Sequence, residues 1–111
     1  MSTPNRGEVW LTDLGLAAKI RPCLVFSIPA QLQDRALVTV IPHTTNLRSS
    51  QFEVVISTRF LRPGAFVAQN ILTIPEAKLI RRLGTLSPVQ FREVETIVKI
   101  WLGLEPDVDR A

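Results

Sequence analysis

The chain has 111 residues, 46% hydrophobic and 21% charged, a balance that favours one packed domain over 1–111 and argues against disorder. Its apolar runs fall far short of the roughly 18 residues needed to cross a bilayer, the single cysteine excludes an internal disulfide, and one His with one Cys cannot make a structural zinc site, so no metal and no cofactor are expected. Net charge is +3, and because Glu105, Asp107, Asp109 and Arg110 contribute −2, the body through Leu104 carries +5, which suits a polyanionic partner.

The first fifteen residues contain Pro4, Glu8 and Asp13 without an apolar core and cleavage site, so no signal peptide is read and the cytoplasm is the expected compartment. Fraying is expected at Met1–Asn5 and again at Glu105–Ala111. Val9–Leu11 predicts a short strand, and Thr12–Lys19 a loop. Cys23–Ile28 and Ala36–Ile41 predict two more strands, the second rich in β-branched residues and stopped by Pro42. Phe52–Ile56 and Phe66–Ala68 follow, separated by a Pro63-Gly64 turn. Pro75–Ile80 suggests a helical turn or two and Arg82–Leu86 a last strand, with Arg81 and Arg82 as solvated helix-end charges. Five or six short strands point to a small antiparallel barrel or curled sheet.

From Ser87 the period changes. Ser87 with Gln90 matches a capping box, Pro88 suits a first helical position, and Gly103 can close the helix. Phe91, Val94, Ile97, Val98, Trp101 and Leu104 recur at helical spacing, so an amphipathic helix should pack on the sheet. Ile100 and Leu102 fall off that stripe, as residues at a subunit contact would.

The densest polar chemistry lies in Ile41–Ile56, IPHTTNLRSSQFEVVI, between two strand-like runs. Arg21 opens RPCLVFSI and could bring a guanidinium to the same region, where its fork of donors would hold phosphate oxygens; the alternative is a surface arginine. Thr44 and Thr45 could donate hydroxyls to phosphate, or cap a turn beside Asn46. Lys19 and Arg48 could clamp a nucleic-acid backbone or stand solvated. His43 could move protons near neutral pH, although strand alternation sends it and Thr44 to opposite faces. Gln69 and Asn70 can read base edges through paired donors and acceptors. Trp10 and Trp101 could stack bases but sit in apolar patterns that favour the core, and Cys23 reads as a buried core thiol.

With GEVWLTDLG at Gly7–Gly15 and RRLGTLSPVQFREVETIVKIWLGL at Arg81–Leu104, these segments resemble the MazF/PemK family of toxin–antitoxin endoribonucleases from about Arg6 to Leu104. The resemblance implies a mainly β (α+β) fold, an SH3-like antiparallel barrel with a C-terminal helix. It implies a sequence-selective, metal-independent endoribonuclease that cleaves single-stranded RNA by 2′-hydroxyl attack, leaving 2′,3′-cyclic phosphate and 5′-hydroxyl ends, with a homodimer and a cognate antitoxin. Arg21 matches the family's phosphate-contacting arginine and Thr44 its functional threonine. At Ala68–Leu72 the chain departs: where the family commonly carries an acid, a glutamine and, two positions on, an arginine, it has Gln69, Asn70 and Leu72. The alternative is a non-catalytic module of the same fold that poisons gyrase or binds RNA or an acidic peptide.

Overall fold

The structure is a computed structural model that describes residues 3–15 and 19–107. Seven antiparallel strands run in chain order: β1 (Glu8–Asp13), β2 (Ile20–Val25), β3 (Leu37–Thr44), β4 (Glu53–Val55), β5 (Ala65–Val67), β6 (Leu72–Pro75) and β7 (Leu79–Thr85). The helix α1 (Pro88–Trp101) closes the chain. The sheet order is β4-β5-β3-β2-β1-β7, with β6 also on β3, so the longest strand is the hub. Strand β6 has no counterpart among the expected elements, and the helical turn expected over Pro75–Ile80 is a single 3₁₀ turn at Glu76–Lys78.

One difference from the sequence reading decides the site: β3 does not stop before Pro42 but runs through it to Thr44. Proline supplies no N–H to a ladder. Pro42 falls between Leu37–Val40, which pair with β6, and His43–Thr44, which pair with β5, where a missing donor disturbs the sheet least. His43 and Thr44 are therefore held by a strand rather than by a free loop.

Alternation along β1, β2 and β3 fills two cores. Val9, Leu24 and Ile41 point to the side covered by α1, where Phe66, Val94 and Val98 join them. Trp10, Cys23 and Val40 point to the other side with Val38, Ile74 and Leu79. Burial on both faces is what a sheet curling toward a barrel requires. Removing a fully buried side chain such as Leu24 would cost about 2–5 kcal/mol.

The capping box forms as the pattern predicts: Gln90 N donates to Ser87 Oγ at 3.1 Å and Ser87 N to Gln90 Oε1 at 2.9 Å. At the far end Gly103 takes φ 76°, and Leu104 N reaches Lys99 O at 2.8 Å, closing the helix on a left-handed residue. Ile100 is partly buried against the core, contrary to its expected place off the stripe. Leu102 is exposed as expected, at 49%, but it is joined at the helix end by Trp101 and Leu104, at 41% and 71%, which the helical spacing had put on the packed face. Trp101 still meets the core through Phe52, with ring centroids 5.2 Å apart.

Trp10 is a core residue, 7% exposed, and its indole donates to Glu8 at 3.0 Å. Burial would raise the Glu8 carboxyl, but hydrogen bonds from Asn5, Trp10 and Arg82 outweigh it and hold the group below the ordinary carboxylate value. Arg82 is thus a strand residue bonded to Glu8 at 3.1 Å, and Arg81 beside it also lies on β7; neither is a helix-end charge. Pro4 is buried, Asn5 N donates to Glu8, and Asp107 accepts from Gln51. Among the described residues no helix is long and apolar enough to cross a membrane.

Candidate nucleic-acid interface

The antiparallel register of β2 and β3 pairs Val25 with Val40, Leu24 with Ile41 and Cys23 with Pro42, and beyond that last pair the two strands carry Arg21 and Thr44 to the lining of one groove. A groove opens there in two lobes. The larger, about 710 Å³, is walled by Lys19, Arg62 and Arg81 with the apolar Phe60 and Leu61, and contains His43 and Thr45. The smaller, about 300 Å³, is walled by Arg48, Glu53, Gln69 and Asn70. Arg21, Thr44 and Asn46 line both and form the seam. All eight residues singled out in the sequence therefore line one groove, although they come from three separate stretches of chain, 19–21, 43–48 and 69–70.

Thr44 Oγ1 accepts from Asn46 N at 3.0 Å, so the turn-capping role is present. It does not exclude the other role, because a hydroxyl that accepts one hydrogen bond still has its own proton to donate. Gln69 and Asn70 sit exposed on a 3₁₀ turn, Ala68–Asn70, that continues directly from β5. Ala68 N bonds to Phe52 O at 2.9 Å and anchors that turn beside β4.

His43 lines the groove wall but is 3% exposed, edge-on to Phe66 with ring centroids 5.1 Å apart. Its Nε2 has no hydrogen-bond partner among the described residues, and burial pushes its pKa below the ordinary 6.5. The ring is neutral at pH 7 and turned into the barrel. Two glycines allow this wall. A β-carbon at Gly64 would overlap the Thr44 carbonyl and the His43 ring, and one at Gly84 would strike the ring of Phe60. Cys23 is fully buried and its thiol is pushed up to about 11, principally by burial, so it carries no nucleophile.

The groove also contains residues that sequence reasoning passed over. Phe60, Leu61 and Arg62 come from a loop with no motif, and Arg81 from a strand read as a helix end. Glu53 lies within the run Phe52–Ile56, read only as a strand. Its one usable signal was a lone carboxylate closing a serine-rich, otherwise basic loop. Among the described residues no three His, Cys, Asp or Glu side chains gather as metal ligands.

A family model described as the PemK-like, MazF-like toxin of type II toxin–antitoxin systems matches residues 5–102. The chain is 32% identical over 104 residues to "Endoribonuclease MazF4" of Mycobacterium tuberculosis, covering 94% of this chain and 97% of that one. It is 30% identical over 100 residues to "Probable endoribonuclease MazF5" of the same organism, covering 87% and 91%. Among solved structures, a mycobacterial endoribonuclease in complex with its cognate antitoxin superposes with a TM-score of 0.79 at 29% identity, covering 94% of this chain and 99% of that one. A Deinococcus radiodurans MazE-MazF complex superposes at 0.78 and 20% identity, a likeness of fold, over 94% and 100%.

Proposed function

The chain belongs to the PemK-like, MazF-like toxin family of type II toxin–antitoxin systems, and from that premise we propose that it is an endoribonuclease that cuts single-stranded RNA at the seam of its groove. The observation that carries this reading is the meeting of Arg21 and Thr44 where the two lobes join. A strand of RNA laid along the groove would place one phosphate at the seam, with its flanking bases in the apolar lobe beside Phe60 and the amide lobe beside Gln69 and Asn70. Unstacked bases on aromatic and amide groups are the usual basis of single-stranded RNA selectivity.

In the reaction we propose, the 2′-oxygen attacks the adjacent phosphorus and loses its proton, while the 5′-oxygen leaves and gains one. The products are a 2′,3′-cyclic phosphate and a 5′-hydroxyl. The Arg21 guanidinium is suited to the negative charge that builds on the phosphoryl oxygens, and the Thr44 hydroxyl to a hydrogen bond with one of them. Metal independence rests on the donors at the seam, which are guanidinium, hydroxyl and amide rather than a carboxylate cluster. The cognate antitoxin is expected to cover this basic groove, as one accompanies the mycobacterial relative, and the compartment is the cytoplasm, where its RNA would be.

A binding-only reading has one observation in its favour: Gln69 stands where the family commonly has an acid, and a glutamine cannot carry a proton as a carboxylate does. Incubating the purified protein with a long unstructured RNA in excess EDTA separates the readings. Discrete fragments with cyclic phosphate ends are expected; RNA bound and uncut would favour the second, and activity lost to chelator and restored by magnesium would overturn the mechanism.

A further inference from the structure

We propose that Glu53 is a positioning residue for the RNA strand: its carboxylate builds the loop that presents Asn46 and Arg48 to the groove, and through that loop sets how tightly RNA is held. This rests on the RNA-cleaving reading above. The starting observation is a carboxylate where electrostatics argues against one. Glu53 opens β4 and lines the smaller lobe with Arg21, Arg48, Gln69 and Asn70. A bare carboxylate there would repel each incoming phosphate.

Its oxygens are taken up by backbone instead. Arg48 N donates to both of them, at 2.9 and 3.0 Å, and Ser50 N donates to Oε1 at 3.2 Å. Hydrogen bonds to an ionised acceptor are about twice as strong as neutral ones, so this root of the loop is firmly held. At the other root Thr44 Oγ1 accepts from Asn46 N, and within the loop Ser50 Oγ accepts from Phe52 N at 3.1 Å. Between them Ser49 takes φ 60°, a left-handed conformation that a residue with a side chain keeps only when its surroundings impose it.

The loop's shape is therefore dictated from its two ends, by Thr44 at the seam and by Glu53 across the smaller lobe. Truncating Glu53 releases the amides of Arg48 and Ser50. RNA binding must then order the loop, which weakens affinity and leaves the groups at the scissile phosphate in place.

The test compares KM and kcat on a short single-stranded RNA for wild type, Glu53→Ala, Arg48→Ala and the double variant, together with amide hydrogen exchange at Arg48 and Ser50. In Glu53→Ala, KM should rise about tenfold or more with kcat within about threefold, and both amides should exchange at least about tenfold faster. Arg48→Ala keeps the backbone amide that Glu53 holds, so it should raise KM without speeding exchange at residues 48 and 50, and the double variant should be worse than either single one. Glu53→Gln, which keeps one acceptor oxygen, should fall between and carries the same measurement if Glu53→Ala does not fold. Unchanged amide exchange overturns the proposal, as does faster exchange with KM unchanged, or a lower melting temperature with unaltered kinetic constants. A fall in kcat at constant KM also overturns it, since Glu53 would then act on the reacting atoms. A wild type that neither binds nor cuts RNA sinks the functional reading itself, whereas a cutting wild type with an indifferent Glu53→Ala sinks only this one.

Discussion

Arg21 and Thr44 carry the chemistry proposed here because both line the seam where the two lobes of the groove join, and a guanidinium aimed at phosphate contributes charge stabilisation rather than packing. Arg21→Ala is expected to lower the cleavage rate by roughly 100-fold or more, on the order of 3 kcal/mol in the barrier, with the melting temperature nearly unchanged. Cleavage within about tenfold of wild type would mean the site is misplaced. His43 belongs to a different category. Its ring is buried against Phe66 and its pKa is lowered by that burial, so the unfolded chain binds the proton more readily than the folded one. The sign follows: its contribution to stability is complete above about 6.5 and is lost as pH falls from there toward the folded value. Denaturation midpoints measured from pH 8 to 5 should decline, and His43→Gln should flatten that decline while keeping cleavage at pH 7.5 within about tenfold. A folded His43→Gln variant that loses 100-fold or more would instead make the imidazole the acid or base.

Among the elements, β3 and α1 show opposite relations between local pattern and outcome. The helix is locally specified: Ser87, Pro88, Gln90 and Gly103 stand where capping rules require them, and Ser87→Ala should cost about 1 kcal/mol in chemical denaturation. A loss below a few tenths would show the cap to be redundant. Strand β3 is specified by its neighbours, since β2, β5 and β6 carry it through a proline that local rules treat as a stop. The close approach of Gly64 to Thr44 is part of that arrangement. Because a methyl group there meets backbone as well as a side chain, Gly64→Ala should destabilise by about 1–3 kcal/mol and lower cleavage together with the folded fraction. Wild-type stability in that variant would contradict the packing at the seam.

For the molecule as a whole, the exposed apolar side chains of Trp101, Leu102 and Leu104 at the end of α1 form a surface that water covers poorly. A dimer is the expected remedy, on grounds different from the sequence argument, which had relied partly on the now half-buried Ile100. Sedimentation at micromolar concentration should give about twice 12.4 kDa; a mass near the monomer value would rule out a stable dimer. The basic groove makes a second statement at this scale. RNA affinity should fall steeply with salt, and removing one of Lys19, Arg48 or Arg62 should reduce the slope of log K against log salt by about 0.7, the single-strand value per phosphate contact. A slope unchanged in all three variants would place the RNA elsewhere.

What depends on neighbours a few residues away could be read from the residues alone. The capping box, the helical stripe through Val94 and Val98, the β-branched strands and the excess of basic charge are all local, because helix and strand periods bring i, i+2, i+3 and i+4 together. The sequence also placed Arg21 and Thr44 as candidates, through motif resemblance rather than geometry. Which of these residues meet depends on how the strands come together in the folded chain. Arg21 of β2 and Thr44 of β3 come to line one groove, passage through Pro42 puts His43 into the core, and the 3₁₀ turn after β5 brings Gln69 and Asn70 to the same groove. Glu53 was the least legible of all, since nothing in a three-residue strand announces that its carboxylate will take the amides of Arg48 and Ser50. The physical reason is one of range: local propensity is fixed by steric and hydrogen-bonding rules over a few residues, whereas a site is assembled by long-range pairing that those rules do not encode.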